Sequence, residues 1–169
     1  MRITLILLFL AFCHGAMATN CVMSQNIVVS DKVTCSNLTM MAVSFDSFDK
    51  TLTGVFGTNQ LNQATAKGGY GAADKIYVWN PSVPEYTIYA QDSNGVFYST
   101  DDWQGAPVTD EVMTAGTAFW LSPMGSTELD FLGEVVDADT QMVDIVEGLT
   151  MLSYPFSANV ALQDADFVG

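Results

Sequence analysis

Hydrophobic and polar residues alternate along most of the chain after residue 25, with a period of two residues. This period is typical of half-buried β-strands, because successive side chains point to opposite faces of a sheet. The apolar runs fall at residues 26–30, 33–45, 75–79, 86–89, 96–98, 117–122, 128–136 and 145–156.

Turn-forming residues separate these runs. Two prolines in residues 80–84 would interrupt a strand ladder, and Asn94 followed by Gly95 is typical of a tight hairpin. Many short strands divided by turns predict an all-β fold, either an antiparallel β-sandwich or a distorted barrel. Short helices are expected only at residues 52–56 and 59–66, because glycines limit their length.

Two of the runs do not alternate. Residues 76–79 and 118–121 are apolar on both faces of the strand they would form. Strands of this kind lie at the centre of a sheet and are covered on both sides, or have one face covered by a neighbouring domain.

The start of the chain has the pattern of a removable export signal. Residues 3–12 form an apolar run, and Ala16, Met17 and Ala18 provide a small-residue cleavage site. The run is too short for a membrane-spanning helix, which needs about 20 residues, and no later segment is long and apolar enough. We therefore expect residues 1–18 to be removed and the mature chain to be secreted, extracellular or on the cell surface of a bacterium.

The charge of the chain excludes several classes of function. The sequence has 19 Asp and Glu against 5 Lys and Arg, a formal net charge of −14. Arg2 and the single histidine, His14, lie in the expected signal, so the mature chain carries four basic residues and a charge of −15. An acidic chain lacks the basic surface that nucleic acids and anionic membranes require. Without histidine or arginine, triad catalysis and histidine metal sites are excluded, and we expect no enzyme.

Removal of the signal takes Cys13 and leaves two cysteines, Cys21 and Cys35. In an oxidising compartment two such cysteines pair, and the disulfide would tie down the N-terminal segment. The alternative is a pair of free, partly buried thiols. We expect the disulfide, and two cysteines without histidine make a zinc site improbable.

Residues 37–45 and 148–156 are similar, with four identities in nine aligned positions at an offset of 111. One interpretation is a repeat, in which residues 19–142 form a β-sandwich module and residues 143–169 begin a second, truncated copy. The other is that residues 143–169 supply the closing strand of the first module. In both cases residues 143–156 carry too much apolar surface to remain in water, so we expect them to dock on the first module.

Four short motifs carry a resemblance to a known pattern. They are LSYPFS at 152–157, IYVWN at 76–80, YTIY at 86–89 and AGTAFWL at 115–121. Together they resemble the β-rich repeat modules of large secreted bacterial surface proteins, where an NPYPS-like strand end is followed by iYvWd, an aromatic hairpin and pGxaFwv. The chain departs from the pattern at residues 43–46, which lack the proline. The resemblance implies an extracellular, non-enzymatic structural or adhesive role and brings no catalytic residues.

Aromatic residues crowd into the middle of the chain, at Trp79, Tyr86, Tyr89, Phe97, Tyr98, Trp103 and Trp120. If these rings are buried, they form an ordinary sandwich core. If they are exposed in one plane, they form a platform on which sugars stack. A carbohydrate-binding module is therefore the alternative function. Alternation favours burial for most of them. Trp103 is the exception, because it lies in a polar loop. We expect its indole to be exposed, and Trp103 with Asp101 and Asp102 forms the candidate ligand site.

Carboxylates offer two further interpretations. Paired acids can hydrolyse glycosides, but with 19 acidic residues local pairs arise by chance and a solvated acidic surface explains them. Calcium suits such ligands better, and the weak candidates are Asp92, Asn94, Asp137 and Asp139. An Asp in a tight turn also accepts hydrogen bonds from its own backbone. We expect no cofactor, with calcium as the one candidate, and partners among extracellular polysaccharides or other surface proteins.

Overall fold

The structure of the protein, a computed structural model, describes residues 28–65, 69–103, 105–135, 147–151 and 153. The expected signal and the expected domain boundary at residue 142 lie outside these residues. The described elements are β1 (Val28–Cys35), β2 (Thr39–Ala42), β3 (Asp46–Ser47), α1 (Leu52–Phe56), a 3₁₀ turn (Tyr70–Ala72), β4 (Lys75–Asn80), β5 (Glu85–Gln91), β6 (Phe97–Ser99), β7 (Ala118–Ser122) and β8 (Thr127–Glu134).

The strands form two antiparallel sheets that pack against each other. The smaller sheet has the strand order β1-β8-β3, and the larger sheet has the order β2-β7-β4-β5-β6. Side chains of both sheets meet in one hydrophobic core. The predicted all-β sandwich is confirmed, and among the described strands the sheets do not close into a barrel.

The two strands that lack alternation lie inside the larger sheet, as predicted, but the described residues cover their outer face only in part. β7 pairs with β2 and β4, and β4 pairs with β7 and β5. Ile76, Phe119 and Leu121 are fully buried on the inner face. Trp79 and Trp120 point to the outer face, where they are half-buried.

Phe56 joins the helix to both sheets. Its ring centroid lies 5.2 Å from that of Phe119 in β7 and 6.2 Å from that of Phe97 in β6, and both strands belong to the larger sheet. On the other side it lies 5.9 Å from Phe131 in β8. Phe56 is completely buried, so these contacts place the end of α1 at the centre of the sandwich.

The first predicted helix is confirmed and the second is wrong. Helix α1 spans Leu52–Phe56, and Thr51 caps it by accepting a hydrogen bond from the Gly54 backbone at 3.1 Å. The described part of residues 59–66 forms turns instead. There the backbone groups are used elsewhere: Ala64 donates to the Gln91 carbonyl at 2.8 Å, and the Asn62 carbonyl accepts from Asp74 at 2.8 Å. No helix among the described residues is long and apolar enough to cross a membrane.

The apolar run at residues 33–45 is divided between the two sheets. β1 ends at Cys35 in the smaller sheet, and β2 begins at Thr39 in the larger one. The chain turns at Ser36 and Asn37, whose polar side chains are exposed. The chain therefore crosses from one layer of the sandwich to the other between β1 and β2.

Candidate functional site

The outer face of the larger sheet carries a cluster of large apolar side chains, which we call the outer aromatic face. Strand register places its members opposite one another: Tyr77 pairs with Trp120 and Ile88, Trp120 pairs with Met40, and Trp79 pairs with Tyr86. Directly paired residues share one face of a sheet. The face consists of Met40, Tyr77, Trp79, Tyr86, Ile88 and Trp120.

The outer aromatic face is partly open to solvent. Met40 is 54% exposed and Tyr86 is 37% exposed, whereas Tyr77, Trp79 and Trp120 are half-buried. Large apolar groups grouped on a surface mark sites of interaction rather than ordinary solvated surface. This face is therefore the strongest candidate for binding in the described chain.

The rings of this face meet at steep angles. Trp79 and Tyr86 have ring centroids 4.9 Å apart and an interplanar angle of 67°. Tyr77 and Tyr86 are 6.3 Å apart at 82°. Edge-to-face packing of this kind is a stable arrangement for aromatic pairs. These pairs do not provide the coplanar rings that a sugar-stacking platform needs.

Two residues of the described segment 147–151, Leu149 and Met151, contact the outer aromatic face. The indole Nε1 of Trp79 donates a hydrogen bond to the backbone carbonyl of Leu149. The hydroxyl of Tyr86 donates to Sδ of Met151 at 3.6 Å. The described part of the segment expected to dock on the first module thus contacts β4 and β5 of the larger sheet.

The expectation that Trp103 is exposed is wrong. Its side chain is only 4% exposed and packs between the rings of Tyr70 and Tyr98, each with its centroid 5.3 Å away. Ala73 and Ala90 lie in the same buried cluster, and their small side chains leave room for the indole. The indole Nε1 has no hydrogen-bond partner among the described residues.

Asp101 and Asp102, the other two residues of the candidate ligand site, are exposed in the turn before Trp103. The Asp102 carbonyl accepts a hydrogen bond from the Gly105 backbone at 2.9 Å, which closes this turn. The structure therefore brings two carboxylates to the surface and turns the indole beside them inwards. Ligand binding by these three residues stays a prediction.

The Asp92 carboxylate is used within its own turn. One oxygen accepts from the backbone of Asn94 at 2.8 Å and of Val96 at 3.0 Å, and the other accepts from the Asn94 side chain at 3.1 Å. Asp137 and Asp139 lie outside the described residues. In the part of the chain that the structure describes, no three His, Cys, Asp or Glu side chains are grouped as metal ligands would be. Calcium binding stays a prediction.

Cys35 lies at the end of β1 and is a buried free thiol in the described chain. Its Sγ is 3.7 Å from Sδ of Met41 on the facing sheet. Cys21 lies outside the described residues, so the Cys21–Cys35 disulfide stays a prediction.

Sequence reasoning missed a buried hydrogen-bond network around Asp74. This side chain is fully buried just before β4. It accepts hydrogen bonds from the Met124 backbone at 2.7 Å, the Asn62 backbone at 2.9 Å and the Thr127 hydroxyl at 2.6 Å. An acidic residue directly before a strongly apolar strand was the available signal. This network connects the loop after α1 to the residues that link β7 and β8, where the chain passes from the larger sheet to the smaller one.

Comparison with known proteins finds no relative of this chain. No protein-family model, curated protein or solved structure matches the chain.

Proposed function

We propose that the chain is a secreted, non-enzymatic β-sandwich module with a structural or adhesive role, and that its outer aromatic face binds polypeptide. The observation that carries the proposal is the contact with residues 147–151, where the indole of Trp79 donates to the Leu149 carbonyl. Every residue of a polypeptide has such a carbonyl. The same donor can therefore hold a segment of another protein.

The chemistry of the surface supports protein as the partner. The outer aromatic face combines apolar area with polar tips, because indole and phenol groups each carry one hydrogen-bonding group. Side chains of this type are enriched where proteins meet proteins. The formal charge of −14 argues against a nucleic acid or an anionic membrane on the same surface.

The geometry gives less support to the alternative, a carbohydrate-binding module. Flat stacking of a sugar chain needs several rings in one plane, and the pairs in this face meet at 67° and 82°. A sugar could stack on one ring at a time. Such a contact would be weaker than that of a platform formed by several rings.

A surface-binding experiment tests the proposal. The mature chain, residues 19–169, is fixed to beads, and their retention is measured on surfaces coated with gelatin, an unfolded polypeptide, or with cellulose or chitin. We expect retention on gelatin to exceed retention on either polysaccharide. Trp79→Phe should lower retention on gelatin several-fold, because it keeps an aromatic ring and removes the N–H donor, which a gelatin carbonyl would take over from the Leu149 carbonyl.

Val83→Ala is the matched control, because Val83 is an exposed apolar residue in the turn beside the same strands. It should leave retention on gelatin unchanged. Retention on cellulose or chitin that depends on Trp79 would favour the carbohydrate-binding alternative. Equal retention of the wild-type chain and Trp79→Phe on gelatin would contradict the proposed role of the outer aromatic face.

A further inference from the structure

One side of β8 is only partly covered by strands. β1 pairs with β8 along its whole length, from Thr127 to Glu134. On the other side β3 pairs only with Gly133 and Glu134. Among the described residues, no strand pairs with Glu128 to Leu132 on that side.

The backbone of this uncovered stretch points away from β1 at every second residue. In an antiparallel ladder, successive residues direct their N–H and C=O groups to opposite sides of the strand. The Asp130 backbone hydrogen-bonds to the Gln60 side chain on the side away from β1. Glu128 and Leu132 are two residues on either side of Asp130, so their backbone groups face the same way.

Gln60 makes the contacts that a neighbouring strand would make. Its Nε2 donates to the Asp130 carbonyl at 3.2 Å, and its Oε1 accepts from the Asp130 backbone N–H. A residue of a paired antiparallel strand exchanges the same two hydrogen bonds through its own backbone. The side chain reaches this position past Gly57, where an added Cβ would lie 3.0 Å from Nε2. Gln60 thus fills one position of an incomplete ladder.

A groove runs along this part of β8 and has room for a chain. We call it the edge groove; its volume is about 690 Å³, within the range of ligand-binding clefts. Two of its lining residues are glycines, Gly54 and Gly57. The other lining residues come from α1, the loop after it, the residue before β8 and β8 itself, namely Val55, Asn59, Gln60, Asn62, Ser126, Thr127, Glu128, Asp130 and Leu132.

We propose that the edge groove binds an extended basic peptide segment of another protein, which adds to β8 as a strand and displaces the Gln60 carboxamide. Strand addition to an exposed sheet edge is a common mode of peptide recognition, in which main-chain hydrogen bonds give affinity and alternate side chains give specificity. This surface is separate from the outer aromatic face, so the inference does not depend on the proposed function.

The negative charge at the edge groove favours a basic peptide as the ligand. Glu128 and Asp130 lie on this edge, and Lys32 forms an ion pair with Glu128 at 2.5 Å. Two carboxylates thus face one lysine, on a chain with a formal charge of −14. A second copy of the chain would bring the same negative charge and be repelled. The exposed side chain of Leu132 offers an apolar contact beside these charges.

Fluorescence anisotropy with labelled synthetic peptides tests the proposal on the mature chain. The probe is a peptide of four lysine–valine repeats. We expect it to bind, and Gln60→Ala to bind it about tenfold more tightly, because no side chain then competes for the Asp130 backbone. Asn59→Ala, another substitution in the groove wall, should leave affinity within about twofold of the wild-type value if main-chain pairing dominates.

Two control peptides separate strand addition from simple attraction between charges. A lysine–valine peptide with N-methylated lysine backbone nitrogens keeps the charge. It loses the donors that face β8 when the lysines lie beside Glu128 and Asp130, and should bind at least tenfold more weakly. A glutamate–valine peptide should not bind. Equal affinity of the wild-type chain and Gln60→Ala, or equal binding of the lysine–valine peptide and its N-methylated form, would overturn the proposal. Trp79→Phe should leave peptide binding to the edge groove unchanged. Failure of this proposal can therefore be told apart from failure of the proposed function in the gelatin assay.

Discussion

Replacing Asp74 by asparagine should destabilise the fold more than any comparable change at an exposed acid. One carboxylate oxygen accepts from the Met124 backbone, and the other accepts from the Asn62 backbone and the Thr127 hydroxyl. Asp74→Asn keeps the shape but turns one oxygen into an NH₂ donor. Whichever way the amide turns, one of the two backbone N–H groups then faces a donor in a fully buried site.

The size of the effect follows from these contacts. A hydrogen bond to a charged group contributes about 1.5–3 kcal/mol, and an unsatisfied buried N–H costs about 1–3 kcal/mol. Because the two terms overlap, Asp74→Asn should lower the free energy of unfolding by about 2–4 kcal/mol. Urea denaturation of the mature chain, followed by tryptophan fluorescence, measures this change.

Asp101→Asn is the matched control, because it removes the same charge from an exposed turn. It should change the free energy of unfolding by less than about 0.5 kcal/mol. If Asp74→Asn lost no more stability than Asp101→Asn, the network around Asp74 would not hold the loop after α1 to the β7–β8 connection as described.

Three further predictions concern the core, the pH dependence and processing. Phe56→Ala should cost about 3–5 kcal/mol in urea denaturation because it empties the centre of the sandwich, whereas Phe48→Ala, at a 62% exposed position, should cost less than about 0.5 kcal/mol. Burial and a hydrogen bond to Glu111 raise the pKa of Tyr89 above its ordinary value of 10.0. Ionisation of Tyr89 is thus harder in the folded chain, so the free energy of unfolding should fall as the pH rises above 10.0, and Glu111→Gln should lessen that fall. Intact-mass analysis of secreted protein should show the loss of residues 1–18 and of two hydrogens; two alkylatable thiols would contradict the disulfide.

The fold was predictable from the sequence where the signal is local. Alternation in β8 places Leu129 and Phe131 in the core and exposes Asp130 and Leu132. The apolar strands β4 and β7 were correctly placed at the centre of a sheet because they have no polar face. Residues 59–66 were wrongly expected to form a helix, because their backbone groups bond to Asp74 and Gln91, which are distant in sequence.

The sites were less predictable because their contacts are long-range. Trp103 lies in a polar loop, yet Tyr70 and Tyr98 enclose it. The Gln60 side chain bonds to Asp130, which is 70 residues away. The local sequence around Trp103 or Gln60 gives no sign of these contacts. They can be found only once the packing of the strands is known.

Binding of polypeptide to the outer aromatic face is tested most directly by the NMR signal of the Trp79 indole N–H. Its NMR signal in ¹⁵N-tryptophan-labelled mature chain is compared with that of a chain ending at residue 146, with the buried Trp103 as an internal control for the fold. Removal of the Leu149 carbonyl should shift the Trp79 signal and speed its exchange with solvent, and gelatin should reverse both changes. An unshifted Trp79 signal, or one that responds to chitin but not to gelatin while Trp103 is unchanged, would contradict polypeptide binding at this face.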